Sequence, residues 1–237
     1  MKISIIGLGL IGGSYALSLK QRFKNMTVYG WDQNEASNLE AKKRNIVDIS
    51  CSSLEEALEV GDWILLAIPV NSIASSLSGM LDMLASHQLI IDFGSTKEQI
   101  CKRVAGHNKR DQFIAAHPIA GTEYSGPSAA FSTLFKDKVI IVCEPEKTRS
   151  DFLSDFKEQC GTLGMITIYL SAAEHDVHLA YVSHLSHIIA FGLSHTVLQK
   201  EMSSMKILDL AGSGLASTVR LAKSSPDMWT PIFINNR

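Results

Sequence analysis

The sequence predicts an α/β chain, with a mainly parallel sheet over residues 1–169 and an all-helical segment over residues 170–237. Three observations carry that prediction. Short apolar runs alternate with longer amphipathic ones up to about residue 168, as successive βαβ units require. The run Trp63-Ile64-Leu65-Leu66-Ala67-Ile68 is apolar without alternation, as a strand covered on both faces should be. From Ser171 to Lys200 there is no proline and a single glycine, Gly192, while apolar residues recur at helical spacing.

Taken in order, strands are expected near 2–7, 27–31, 62–68, 88–92, 112–116, 138–143 and 165–169. Helices are expected near 11–22, 34–44, 53–59, 70–85, 96–105 and 148–162. Beyond Leu170, Ser171 reads as an N-cap and Glu174, three residues on, completes a capping box. Thirty helical residues would span about 45 Å at ~1.5 Å each. Such a helix is too long for the sheet domain and reads as the spine of a second domain.

Composition narrows the function classes. Of 237 residues 46% are hydrophobic, enough for a substantial core, and a net charge of −2 offers no electrostatic footing for nucleic acid or an anionic membrane. No apolar stretch approaches the ~20 residues that span a bilayer. The N-terminal apolar run is broken by glycines and does not read as a signal peptide. Cys51, Cys101, Cys143 and Cys160 lack any metal-ligand spacing and read as thiols in a reducing compartment, with the cytoplasm as the default.

The first fourteen residues name a ligand class. A strand of β-branched residues (Ile3, Ile5, Ile6) enters Gly7-Leu8-Gly9-Leu10-Ile11-Gly12 and then a helix. In such a loop the first glycine permits the turn, the second lets the backbone approach a pyrophosphate, and the third lets helix pack on strand. Twenty residues beyond Gly12, at the end of the next strand, stands Asp32, where a carboxylate should hydrogen-bond an adenosine ribose. These six loop residues and Asp32 are the candidate cofactor-binding set, joined by Pro69 after the strand at 62–68. Ligands of an open parallel sheet bind beyond the carboxyl ends of its strands. That edge also receives Asp92–Lys97 and His117–Glu123, so a polar pocket should adjoin the cofactor.

Five segments now bear on identity: GLGLIGGS (7–14), DFGSTK (92–97), HPIAGTE (117–123), SHLSH (183–187) and TVRLAKSSPDMW (218–229). In that order they resemble the prephenate/arogenate dehydrogenases of tyrosine biosynthesis, over essentially the whole chain. The resemblance implies a Rossmann dinucleotide-binding domain followed by a helical dimerisation domain, NAD as cofactor and a homodimer. The implied reaction is oxidative decarboxylation of prephenate to 4-hydroxyphenylpyruvate. Arogenate is the alternative substrate, and a catalytically decayed NAD-binding regulatory protein is a less favoured reading. A β-hydroxyacid dehydrogenase would share the glycine loop and long helix but would rely on a catalytic lysine, for which Lys200 and Lys206 lack the setting.

By the same resemblance His117 contacts the substrate hydroxyl, and a neutral imidazole suits removal of that proton. Ser95 matches a hydroxyl that bonds His117 or the substrate, and Ser95-Thr96 also reads as a helix N-cap. Thr122 and Glu123 correspond to pocket-gating positions. Arg220 should hold a substrate carboxylate, with Lys97 the next cation to consider. His187 is the better candidate for substrate contact and His184 for support, with Trp229 close to the substrate pocket. His175, His178 and His195 share the helix without an assigned role. His184 and His187 at i,i+3 could chelate, but no third ligand accompanies them, so no metal is expected.

Two positions depart from the family pattern, Ser217 where an acidic residue is frequent and Ser186 where proline is. The family also tends to continue past the Met228-Trp229 motif, whereas this chain ends at Arg237. It carries neither a regulatory ligand-binding domain nor a fused chorismate mutase. Either the natural protein is short or its helical domain is incomplete, and the apolar surface left open should be covered by a partner copy.

Overall fold

The structure, a computed structural model, describes residues 1–204 and 207–236. Its centre is an eight-stranded sheet built from β1 (Lys2–Ile6), β2 (Thr27–Trp31), β3 (Ile49–Ser50), β4 (Trp63–Leu66), β5 (Leu89–Asp92), β6 (Phe113–Pro118), β7 (Val139–Cys143) and β8 (Ile166–Leu170). The strand order is β3-β2-β1-β4-β5-β6-β7-β8. All neighbouring pairs are parallel except β6 and β7. That reversal follows from the connection, since residues 119–138 hold no α-helix to carry a crossover, only a short 3-10 turn at Pro127–Ala129. The two-residue β3 was not expected, because so short a strand has no periodicity to read.

The order reverses direction between β1 and β4, the switch point beyond whose carboxyl ends an open sheet of this kind binds its ligands. Helices α1 (Leu10–Arg22), α2 (Glu35–Lys43), α3 (Leu54–Val60), α4 (Val70–Met83), α5 (Glu98–Val104) and α6 (Ser150–Thr162) connect the strands. Two apolar clusters fill the layers on either side of the sheet. One gathers Ile3, Ile5, Tyr15, Phe93, Phe135 and Phe156. The other gathers Ile6, Ile64, Leu66, Ile73 and Leu77 and extends to Trp229 and Ile232 of the C-terminal segment. All four cysteines are buried free thiols.

The C-terminal segment is helical throughout its elements: α7 (Ala172–Leu179), α8 (Leu185–Ser204), α9 (Ser213–Thr218) and α10 (Pro226–Asn235). Ser171 caps α7 with the expected box, accepting from Glu174 N–H while the Glu174 carboxylate accepts from Ser171 N–H at 3.0 Å. The single long helix expected here is interrupted by a π-helical stretch at Ala180–His184. Its first turns are anchored on the sheet domain, with His175, Asp176 and Leu179 buried. Further along, His184 and Ala190 are buried while Tyr181, Val182, Leu185, Ile188 and Ile189 are exposed. No helix of the described residues is long and apolar enough to cross a membrane.

The glycine loop shows why its residues cannot vary freely. Gly7 has φ +93°, and a Cβ there would lie 2.4 Å from the carbonyl oxygen of Ala67. A Cβ on Gly12 would lie 2.0 Å from the Gly7 carbonyl oxygen, whereas one on Gly9 would meet nothing within 4 Å. Gly9 therefore faces open space. We expect Gly12→Ala to cost roughly 1–3 kcal/mol of stability through forced backbone displacement, measured by urea denaturation. Gly9→Ala should leave the midpoint in place while weakening dinucleotide binding. A wild-type midpoint for Gly12→Ala would contradict this packing account.

Candidate active site

The candidate cofactor half of the site is the end of β1 and the start of α1. Gly9 caps α1 without a side-chain hydrogen bond, and no acidic residue occupies the first turn, so the leading N–H groups point into the open space beside Gly9. Asp32 braces the loop: its carboxylate accepts from Leu8 N–H at 2.8 Å and from Asn34 N–H at 2.9 Å. Leu8 is buried, Leu10 and Ile11 are partly buried, and Pro69 is exposed at the head of α4. An uncapped helix N-terminus, a glycine with room for a ligand and a carboxylate at the end of β2 fit a dinucleotide.

The second half gathers at the ends of β5 and β6. His117 lies on β6, half-buried, and its Nδ1 is 2.8 Å from His175 Nε2 on α7. Burial, reinforced by His175, Lys97 and His184, holds the His117 imidazole well below its ordinary pKa, so the ring is neutral at neutral pH. His175 Nδ1 is 2.7 Å from Asp176 Oδ1. The Asp176 carboxylate also accepts from Lys97 N–H at 2.7 Å and Glu98 N–H at 2.9 Å, capping α5 from another element. Lys97 is wholly buried, forms an ion pair with Asp92 and donates to the carbonyl of Ala116 at 3.0 Å. Burial raises the Asp92 pKa, Lys97 opposing it.

A third group comes from the helical segment. His187 Nδ1 donates to the Ser183 carbonyl at 3.0 Å, and its ring stacks on Trp229 at a centroid distance of 3.6 Å. His184 is buried, packs edge-on against Trp229, and accepts at Nδ1 from Asn236 Nδ2 at 3.0 Å. Burial pushes the His184 pKa down to about 4. Arg220, exposed on a 3-10 turn, donates to Glu123 at 3.3 Å. The Thr122 hydroxyl accepts from Tyr124 N–H at 3.2 Å.

The candidates named from sequence are therefore partly brought together. His117 is bonded to His175, which had no assigned role, and among the described residues no hydrogen bond joins it to Ser95. The cap expected of Ser95-Thr96 is supplied by Asp176 instead, because α5 begins only at Glu98. Lys97 is committed to Asp92 and is no free anchor for a carboxylate. His175 and Asp176 gave no spacing signal, since their partners lie 58 and 79 positions away. Among the described residues no group of three or more metal-ligating side chains occurs.

Comparison with known proteins agrees with this layout. Residues 15–167 match the nucleotide-binding domain of prephenate dehydrogenase, and residues 171–237 match its dimerization domain. The chain is 32% identical to cyclohexadienyl dehydrogenase of Zymomonas mobilis over 99% of its own length and 80% of that protein. It is 30% identical to prephenate dehydrogenase of Bacillus subtilis, over 99% of its own length but only 64% of the relative's. The crystal structure of prephenate dehydrogenase from A. aeolicus in complex with hydroxyphenyl propionate and NAD+ aligns with a TM-score of 0.91 and 30% identity, covering 100% of this chain and 82% of that one. With both of the family's domains matched in order across nearly all of its length, the chain belongs to the prephenate dehydrogenase family.

Proposed function

We propose that the chain catalyses the NAD-dependent oxidative decarboxylation of prephenate to 4-hydroxyphenylpyruvate, in the cytoplasm and as a homodimer. The observation that carries this reading is His117: a neutral imidazole at the cofactor edge of the sheet, engaged at Nδ1 and without a hydrogen-bond partner at Nε2 among the described residues. Bound NAD supplies the hydride acceptor for the carbinol carbon. His117 Nε2 takes the proton of the substrate hydroxyl as its carbon is oxidised. Loss of the ring carboxylate as carbon dioxide leaves an electron pair that aromatises the ring, and His117 returns its proton to the phenolic oxygen. Aromatisation makes the step irreversible.

Arg220 is assigned to a substrate carboxylate. Its pair with Glu123 is exposed, at 3.3 Å, and such pairs contribute only ~0.2–1 kcal/mol, so a substrate carboxylate can take the guanidinium over. Trp229 and His187 form a stacked wall suited to a ring. The A. aeolicus relative was crystallised with hydroxyphenyl propionate, an aryl carboxylate of the same outline as the product proposed here. Arogenate is the second reading, favoured by the same pair: a Glu123 released from Arg220 could receive an ammonium. For the homodimer, Tyr181, Val182, Leu185, Ile188 and Ile189 expose an apolar face along the π-turn and α8.

Steady-state assays offering prephenate and arogenate with NAD and NADP test the reading directly. Prephenate with NAD should be turned over best, because Asp32 would repel a 2′-phosphate and Gln33-Asn34 brings no arginine to neutralise it. Turnover of neither substrate would refute the assignment.

His117→Asn should lower kcat by ~10²–10⁴-fold and leave NAD affinity nearly intact. Because burial lowers the His117 pKa, the acid limb of wild-type kcat should fall below the ordinary imidazole value of ~6.5. A variant retaining most of its rate would place the base elsewhere, with His187 next in line.

Arg220→Ala should raise the prephenate KM far more than the NAD KM, by roughly tenfold for each ~1.4 kcal/mol of lost carboxylate binding. An unchanged prephenate KM would remove Arg220 from the substrate site.

A further inference from the structure

We infer that His175 and Asp176 set the tautomer of His117, and so decide which of its nitrogens is free to accept a proton. The inference rests on the reading of His117 as the base. It makes His175 a positioning residue and Asp176 the anchor that orients it.

The chain of reasoning starts at the carboxylate. Asp176 Oδ1 accepts from Lys97 N–H and Oδ2 from Glu98 N–H, so both oxygens act as acceptors. His175 Nδ1 stands 2.7 Å from Oδ1. An imidazole nitrogen is a stronger base than a carboxylate oxygen, so the proton between them belongs to Nδ1. Burial holds the His175 pKa below its ordinary value, which leaves the ring neutral with a single N–H. Its Nε2 is therefore a bare lone pair.

That lone pair lies 2.8 Å from His117 Nδ1. Two bare nitrogens at that distance would repel, so His117 Nδ1 must carry hydrogen and donate. His117 is itself neutral, and a neutral imidazole with hydrogen on Nδ1 is bare at Nε2. The free nitrogen is thus the one without a protein partner. When His117 takes a proton, its Nδ1–H still has His175 to receive it, and the cation that forms is met by a neutral acceptor backed by a carboxylate. The relay crosses between elements: His117 is on β6 of the sheet, whereas His175 and Asp176 are on α7. The same carboxylate fixes α5, so the dyad cannot drift without uncapping a helix.

The experiment is a two-bond ¹H–¹⁵N spectrum of the whole chain labelled at histidine, at mildly alkaline pH, with His117 assigned by the loss of its signals in His117→Asn. The wild type should show a protonated Nδ1 and a bare Nε2 at His117. His175→Leu should lose that pattern, giving the other tautomer or a mixture. Its kcat should fall roughly 10–100-fold, the scale for removing a partner that orients a working imidazole, with little change in substrate KM. His175→Gln, whose side-chain oxygen can stand near Nε2, should recover the wild-type pattern and most of kcat. A wild-type His117 protonated at Nε2 would overturn the inference, and this holds even if His175→Leu does not fold. An unchanged tautomer and kcat in His175→Leu would overturn it as well. If the wild type turned over neither prephenate nor arogenate, the functional reading would fail while the spectrum still decided the tautomer.

Discussion

The carboxylate of Asp176 accepts hydrogen bonds from three directions at once, and the geometry of the site hangs on it. Two of them are the leading N–H groups of α5, which no residue of its own loop caps. The third is the ring of His175. The residue's own carbonyl accepts from Asn236 at 2.7 Å, so the end of the C-terminal segment closes onto the same point. Helix α5, His117 at the end of β6 and the residue that ends α10 are thereby fixed in one frame. Without that tie, each would be positioned only by apolar packing, which resists sliding less than directed bonds do.

Two ion pairs of opposite character flank this frame. Lys97 and Asp92 are wholly buried, and breaking such a pair costs about 3–5 kcal/mol because a charge is left without a partner. Lys97 also holds the carbonyl of Ala116, the residue before His117, so the buried pair fixes the backbone from which that imidazole projects. Arg220 and Glu123 are partly exposed and contribute little. The contrast separates the two: one pair is too costly to open, while the other opens at little cost.

Much of this was legible in the sequence, for identifiable reasons. The glycine loop, the runs at β1, β4 and β7, and the capping box at Ser171 are local patterns, decided by neighbours within a few positions. The β6/β7 reversal left a trace too, since no helical pattern fills residues 119–138. What could not be read were bonds between distant positions. His175 stands among five histidines on one stretch, and nothing in their spacing singles it out. Only the docking of α7 on the sheet edge puts it against His117. The same limit hid the cap of α5, where a plausible local Ser-Thr pair was displaced by a remote carboxylate.

The π-helical stretch at Ala180–His184 has a consequence for angular phase. At 3.6 residues per turn, positions 175 and 187 of an uninterrupted helix would point about 120° apart. One residue absorbed by the wider turn brings that to about 20°. His175 and His187 therefore address the same side of the helical rod, one toward His117 and the other onto Trp229. Winding 180–184 as an ordinary α-helix with no residue removed would turn everything beyond it by about 100°, whereas deleting one residue there would keep the phase. In the first case His187 and the apolar stripe of α8 would rotate away together, so the wide turn is what lets a segment of this length present both histidines to one side.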